Sequence, residues 1–512
     1  METDTARRRA RLAGAVAAAA ALAVTEVVAA TNGASLLEVI GTQFINRFAA
    51  PLKDLAVAVF GTNDKVALEI GIVVVALAVG SSLGAAALRR RQVATIGFAA
   101  FGLVGFAAGL SDPLASKAGI GFGAVLGVAA GIGVSWVLLQ RVDAASPTAP
   151  VAASMDDPRV RAGSRRAFLG LVGAAGGASL LAGGIARVVR DAAGDVAARV
   201  LPRARRVTPV PASQPFAVDG LSAYVTPNAD FYRIDTALFV PRVNVDRWTL
   251  EVSGLVDKPF RVTYDELLAM DLVEEPVTLQ CVSNEVGGSL VGTASWLGVP
   301  LAGLLERAKP RREATQIVGR SVDNFTVGFP TAVGLDGRTA LVAVGMNGEV
   351  LPQRHGYPAR LVVAGLYGYV SATKWLRQIE LTRLEDFDAY WIPRGWAKEA
   401  PIKTASRIDV PRKGARLVSG RVPIAGVAWA PNRGIASVQV RVDDGSWIEA
   451  QLGDVASDDT WVQWLYEWDA TPGDHKVAVR AVDKHGDVQT SNETPPRPDG
   501  ATGYHTRSVT VR

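Results

Sequence analysis

The chain has 512 residues, 49% of them hydrophobic and 20% charged, with a formal net charge of +5. That length allows two or three domains, each with its own core, and so mild a basic excess, not gathered on one face, argues against nucleic acid as a partner. The single cysteine, Cys281, excludes an intramolecular disulfide, and the four histidines, His355, His475, His485 and His505, all lie in the C-terminal third.

Apolar runs rich in Ala, Gly and Val occur at Leu12–Ala30, Val66–Leu88, Val93–Leu110, Ala118–Leu139 and Ala167–Ala186. Each is near the ~20 residues that cross a bilayer. Leu36–Phe60 is also apolar, but Glu38, Arg47, Lys53 and Asp54 interrupt it, which predicts an amphipathic segment at the interface. The cations choose between the counts. Arg7 to Arg11, Arg89 to Arg91 and Arg159 to Arg166 all fall on the cytoplasmic side with five spans, whereas a sixth would put Arg89 to Arg91 outside. Everything after about residue 190 is then exported across a plasma membrane. Ser164-Arg165-Arg166-Ala167-Phe168-Leu169 ahead of the fifth run reads as a twin-arginine export signal, which implies a passenger that folds around a cofactor before crossing. A haem between the helices would need His or Met ligands. Residues 1–200 hold no His, and past Met1 the only Met is Met155, so a haem bundle is not expected. Glu26 and Glu69 sit in or near the spans and are candidates for a proton or quinone role, or simply helix-end residues.

Residues 191–215 are basic and proline-bearing and read as a linker. From 216 to 402, strand-like runs alternate with Gly/Pro turns and short helical stretches such as Thr263–Met270 and Pro300–Ala308, which predicts a mixed α+β domain. From 403 to 512 the pattern changes. Val438–Val442 alternates, meets an Asp444-Gly445 turn, and His475–Val482 alternates again. Period-two runs between turn residues predict a small β-sandwich, immunoglobulin-like in size, with Trp461, Trp464 and Trp468 as packing residues.

Three stretches together resemble the sulfite oxidase family of molybdenum enzymes. They are Thr226-Pro-Asn-Ala-Asp-Phe-Tyr-Arg233, then Leu279-Gln-Cys281-Val-Ser-Asn284 with Gly292–Pro300, and Met346–Arg360 running through Tyr367-Gly-Tyr369 to Lys374-Trp-Leu376. Order and spacing fit over about residues 215–400, and the terminal sandwich resembles the family's dimerisation domain, so a homodimer is implied. The helices of residues 1–190 lie outside that common core.

The resemblance implies molybdenum on one pyranopterin, with Cys281 as catalytic residue and sole protein metal ligand. A soft thiolate suits such a metal on chemical grounds alone, although a lone Cys out of context is more often a buried filler. His355 and Arg360 match the family's phosphate and pterin contacts, and Ser371, Thr373 and Lys374 follow at the matching place. Asn228, Phe231 and Tyr232 match the pterin edge. Taken alone, Arg360 would read as a surface ion pair and His355 as a turn residue. Arg233 matches a substrate-site arginine, Arg394 in Trp391–Trp396 is a second candidate, and arginine forks suit an anionic substrate. Trp375 and Tyr367 read as structural. One departure counts against sulfite itself: Phe325, in Asp323–Pro330, stands where sulfite oxidases carry an active-site tyrosine.

The expected function is oxygen-atom transfer on a small sulfur compound, sulfite oxidation favoured, with electrons leaving to a separate cytochrome or quinone. The alternatives are reduction of an S- or N-oxide in the manner of methionine sulfoxide reductase, and a non-catalytic membrane binding protein that keeps the fold. The retained Cys281 argues against the last.

Overall fold

The computed structural model describes residues 2–32, 35–44, 64–110, 116–143, 158–192, 200–211 and 215–512. Side chains of residues 158–166 and 187–192 lie outside the described set, and with them those of the arginine pair at 165–166. Contacts divide the chain into a helical unit, Met1–Asp195 with Thr236–Arg242, and a β-rich unit, Val196–Asp235 with Val243–Arg512.

The helical unit contains α1 (Glu2–Asn32), α2 (Asp64–Ala87), α3 (Gln92–Leu110), α4 (Lys117–Asp143) and α5 (Pro158–Ala192). All five are long and apolar enough to cross a membrane. Their exposed residues include Val74, Ile96, Leu103, Val125 and Leu180, an outward apolar surface suited to lipid and not to water. Their packing rests on small residues. A Cβ added at Gly14 would strike the Gly80 carbonyl, and one at Gly84 the Ala10 carbonyl, so α1 and α2 cross backbone to backbone, as lipid-embedded helices do. Residues 36–44 are helical, but the rest of the segment expected at the interface lies outside the described residues.

The β-rich unit carries four sheets. In the first, β1 (Arg206–Val207), β4 (Val273–Gln280), β5 (Val291–Pro300), β8 (Ala340–Met346) and β10 (Arg360–Val363) lie in that order, with β9 (Glu349–Val350) on β8. In the second the order is β3 (Phe260–Thr263), β2 (Thr249–Gly254), β11 (Leu376–Thr382), β6 (Gln316–Ser321), β7 (Thr326–Pro330). Short helices α6 (Tyr264–Leu268) and α7 (Leu301–Ala308) sit where the sequence predicts them. Thr263 and Glu266 close a reciprocal capping box on α6.

Two further sheets come from residues 405–511. One is β12 (Ala405–Val410), β14 (Gly420–Trp429), β18 (Val462–Ala470), β17 (Gln451–Leu452). The other is β13 (Arg416–Leu417), β20 (His505–Val511), β19 (Gly473–Asp483), β15 (Ile435–Val442), β16 (Ile448–Glu449). Their inner faces bury Ile424, Val438, Val440, Trp464, Trp468, Val477 and Val479 in one apolar cluster. Trp461 instead joins the larger core that Leu250, Leu301 and Ile379 occupy. Its indole donates to the Tyr224 carbonyl at 2.8 Å, and the Trp429 indole donates to Gln280 at 2.8 Å. The late strands and the first sheet therefore share one interior.

The stretch expected as a linker also departs from a free tether over residues 200–211. Arg206 and Val207 add a parallel strand to β4, and Arg206 pairs with Glu275 at 2.9 Å. Its charge and prolines hid two residues with free edge hydrogen bonds to offer.

Candidate active site

Cys281 is the first residue after β4. β4 and β5 pair from Val273↔Gly298 to Gln280↔Val291, so residues 281–290 form the loop at the end of this hairpin. The loop is tied internally. The Cys281 N–H donates to the Leu290 carbonyl at 3.0 Å, and Asn284 Oδ1 accepts the Leu290 N–H at 2.8 Å. It is also braced from the late strands. Arg407 Nη1 donates to the Gly288 carbonyl at 2.9 Å. Gly287 has φ +75°, and a Cβ there would strike the buried His505 ring. Cys281 is in no disulfide and is 7% exposed. Beside the loop opens a cavity of about 340 Å³, lined by Gln280, Asn284 and Glu285 on one side and Thr404, Ser406 and Gln489 on the other.

Cys281 is one corner of an electrostatic cluster. Burial pushes the Tyr232 phenol far up, the Cys281 thiolate adds to that, and the Arg360 guanidinium opposes it. Tyr367, only 1% exposed, is raised to about 12, first by burial and more weakly by Asp499 and Cys281. Arg360 leads β10 from inside the first sheet. Its guanidinium lies 4.9 Å from the Trp296 ring centroid and donates to the His355 carbonyl at 3.1 Å. Burial pulls Arg360 down to about 10, and among the described residues no carboxylate neutralises it. A buried, uncompensated cation is costly; it asks for an anion.

The loop that carries Asn228 is organised by its own contacts. Asn228 Nδ2 donates to the Met346 carbonyl at 3.2 Å and to Glu349 at 3.0 Å, while Oδ1 accepts from Asn347 at 2.9 Å. Its backbone carbonyl accepts from Arg354 at 2.9 Å and His355 Nε2 at 3.0 Å. Since a carbonyl can only accept, Nε2 carries the proton and Nδ1 is bare. Burial pulls His355 down to about 4, so with no anion beside it the ring is uncharged at neutral pH and braces the Asn228 loop. Phe231 stacks on Tyr232 with centroids 5.2 Å apart and meets Trp296 and His355 edge-on at 5.7 and 5.8 Å.

Lys374 is buried and pairs with Asp235 at 2.6 Å; burial draws its ammonium down to about 8 against the support of Asp235. Arg233 reaches the same Asp235 oxygen at 2.9 Å. Ser371 Oγ donates back to the Tyr367 carbonyl at 3.0 Å. Thr373 Oγ1 is buried with no hydrogen-bond partner, turned toward Gly319, where a side chain would collide with it. Arg394 stands apart from this cluster. It donates to the Tyr390 carbonyl and stacks 3.8 Å from the Tyr390 ring centroid. Tyr390 in turn lies against Phe325 at 5.5 Å, which places a phenol from a distant segment beside the residue that lacks one.

Cys281, Tyr232, Phe231, Arg360, His355, Lys374 and Arg233 thus converge, and Asn228 shapes their loop. The sequence reading passed over Asp235; Tyr367, read as structural, is a core residue whose phenol also feels Cys281. Asp235 follows Arg233 by two positions, and in an extended segment such residues share a side; that spacing was the available signal. Among the described residues no group of three or more His, Cys, Asp or Glu side chains is placed to hold a metal ion, and Cys281 is the one cysteine sulfur the chain offers. One thiolate, an unneutralised buried guanidinium, a second buried cation and an aromatic pair fit a sulfur-ligated metal on a phosphorylated pterin.

The fold and this donor set define a molybdopterin-binding oxidoreductase. The oxidoreductase molybdopterin-binding domain model matches residues 237–391. The chain is 28% identical over 324 residues to mitochondrial sulfite oxidase of Rattus norvegicus, covering 53% of this chain and 58% of that one. It is 32% identical over 153 residues to the uncharacterized oxidoreductase YuiH of Bacillus subtilis (strain 168), covering 30% of this chain and 74% of that protein. The crystal structure of the sulfane dehydrogenase SoxCD from Paracoccus pantotrophus shares the fold, with a TM-score of 0.50 at 23% identity over 57% of this chain and 84% of that one. The chain belongs to the sulfite oxidase family of molybdopterin oxidoreductases, and membership implies a molybdenum–pyranopterin cofactor. It spans 58% of the length of the rat enzyme.

Proposed function

We propose that the chain is a molybdenum-dependent oxygen-atom-transfer oxidoreductase acting on a small sulfur compound, sulfite oxidation favoured, and passing electrons to a separate cytochrome or quinone. The observation that carries this reading is the buried Arg360, without a carboxylate, in the same electrostatic cluster as the only thiol. Cys281 supplies the protein thiolate, Arg360 and Lys374 hold the anionic end of the cofactor, and Phe231 with Tyr232 flanks its ring edge. When bound, molybdenum held by sulfur donors supplies two-electron oxygen-atom transfer. The protein residues bind and orient, and with Cys281 buried at 7% exposure and Tyr232 half-buried beside it they limit the access of bulk water to the sulfur.

A second reading, reduction of an S- or N-oxide, draws support from the charges. Arg233 is engaged by Asp235 and Arg394 by Tyr390, the lysine that lines the cavity beside the loop, Lys403, is paired with Asp499 at 3.0 Å, and Phe325 is apolar. Such surroundings suit an uncharged substrate better than a sulfite anion. The five helices anchor the protein in a plasma membrane, with the β-rich unit extracytoplasmic, as the cation distribution favours. The two late sheets serve as an immunoglobulin-like dimerisation module. Residues 1–190, 191–215, 216–402 and 403–512 remain our division into membrane, linker, catalytic and sandwich parts.

The deciding experiment measures molybdenum and pterin in the purified wild type and in Cys281→Ser, then sulfite-dependent reduction of an artificial one-electron acceptor. About one molybdenum per chain, lost in the variant, with sulfite turnover, is the expected result. Molybdenum without sulfite turnover selects the oxide-reductase reading. No molybdenum in protein matured with cofactor available overturns both.

A further inference from the structure

Lys374 lies 139 positions from Asp235 in sequence and Arg233 only two, yet both end on one carboxylate oxygen, Asp235 Oδ2. The Asp235 side chain is 4% exposed, that of Lys374 10% and that of Arg233 36%. The arrangement is graded: an inner ammonium, a buried carboxylate, and an outer guanidinium. A second carboxylate, Asp323, acts on Lys374 electrostatically, and burial raises its pKa. Asp235 is the carboxylate that Lys374 touches directly, at 2.6 Å. The positive charges of Arg360 and Arg233 both work against the Lys374 ammonium.

We propose that Asp235 is a positioning residue of the site: one buried carboxylate oxygen sets Lys374 and Arg233 against each other, so a cation facing the cofactor and a cation facing the substrate are placed together. The inference rests on the molybdopterin reading for the ligands of those cations, but not for the linkage itself. The trio keeps one net positive charge. Without the carboxylate, the buried amine loses its counter-charge and Arg233 loses its anchor. Lys374 would then be neutral at a lower pH, and the site would lose both a charge and its geometry.

The test uses the full-length protein in detergent. Acetic anhydride labelling of Lys374 is followed by peptide mass spectrometry as a function of pH, with molybdenum per chain measured in parallel. Asp235→Asn is expected to move the labelling midpoint down by about 1 unit or more, since a neighbouring opposite charge is worth that much. The same variant should retain about tenfold less molybdenum, the usual scale for a lost orienting contact. Arg233→Gln removes a like charge and is expected to move the midpoint up. Asp235→Glu keeps the charge and should bring the midpoint back toward wild type. Asp257→Asn, which breaks an exposed pair with Arg311, controls for surface charge. Opposite shifts in the two neutralising variants are the signature of the proposed linkage; a merely structural role would not give them. Midpoints that stay together in all variants overturn it. If Asp235→Asn does not fold, the Arg233→Gln and Asp235→Glu midpoints still decide. Labelling needs no molybdenum, so a wild type without the metal would sink the functional reading and leave this one standing or falling by itself.

Discussion

His355 and His505 are 1% and 6% exposed, and burial draws each from 6.5 down to about 4. Above pH 6.5 both are neutral whether the chain is folded or not, and their contribution to stability is complete. As the pH falls from about 6.5 to about 4 the unfolded chain takes up protons that the folded chain refuses, so stability is lost through that window and not further below it. Each pH unit costs about 1.4 kcal/mol per histidine, or ~2 kcal/mol between pH 6.5 and 5. Thermal melting at pH 7 and pH 5 should show a smaller drop for His505→Gln than for wild type. Identical drops would mean that the His505 ring takes up its proton as readily in the folded chain as in the unfolded one, and would deny the downward shift. At this scale the sequence exposed what a motif can carry, namely Cys281, Arg360 and Lys374. It hid which groups face each other. Nothing local to Tyr367 shows that its ring comes under the influence of the Cys281 thiolate, and nothing local to His355 shows that burial will discharge it.

Among elements, the hairpin β4–β5 and the late strands depend on each other. Trp461 is 2% exposed, donates to Tyr224, and its backbone N–H donates to Thr278 of β4 at 2.8 Å. Trp461→Ala is expected to cost about 3–5 kcal/mol, the scale of a large aromatic removed from a core. Denaturant midpoints of the full chain check it, and a cost under ~1 kcal/mol would deny that the two sheet systems share an interior. The strands themselves were legible. Val438–Val442 and His475–Val482 fall inside β15 and β19, and Gly445 closes its turn onto the Val442 carbonyl at 3.1 Å, because alternation and a turn dipeptide are local signals. The parallel pairing of Arg206 and Val207 was not legible, since a two-residue strand has no period of its own.

For the whole molecule, composition alone marked the five helices, because the length and hydropathy of a span are set by the bilayer and not by tertiary partners. Which side each end faces is the open question, and the single cysteine makes it easy to ask. In a Cys281→Ser background, Gln92→Cys beside Arg89 to Arg91 should react with an impermeant thiol reagent only after cells are opened. Reaction in intact cells would invert the topology and put the β-rich unit in the cytoplasm.

The loop that presents Cys281 is finished by residues made long after it. Arg407 holds the Gly288 carbonyl, and His505 fills the space against Gly287. Translation delivers Cys281 first, then Arg407, then His505. Until β12 and β20 arrive, the tip of the hairpin has no wall behind it. Order of synthesis thus leaves the loop that carries the sulfur unbraced for an interval, and the later strands bring that interval to an end.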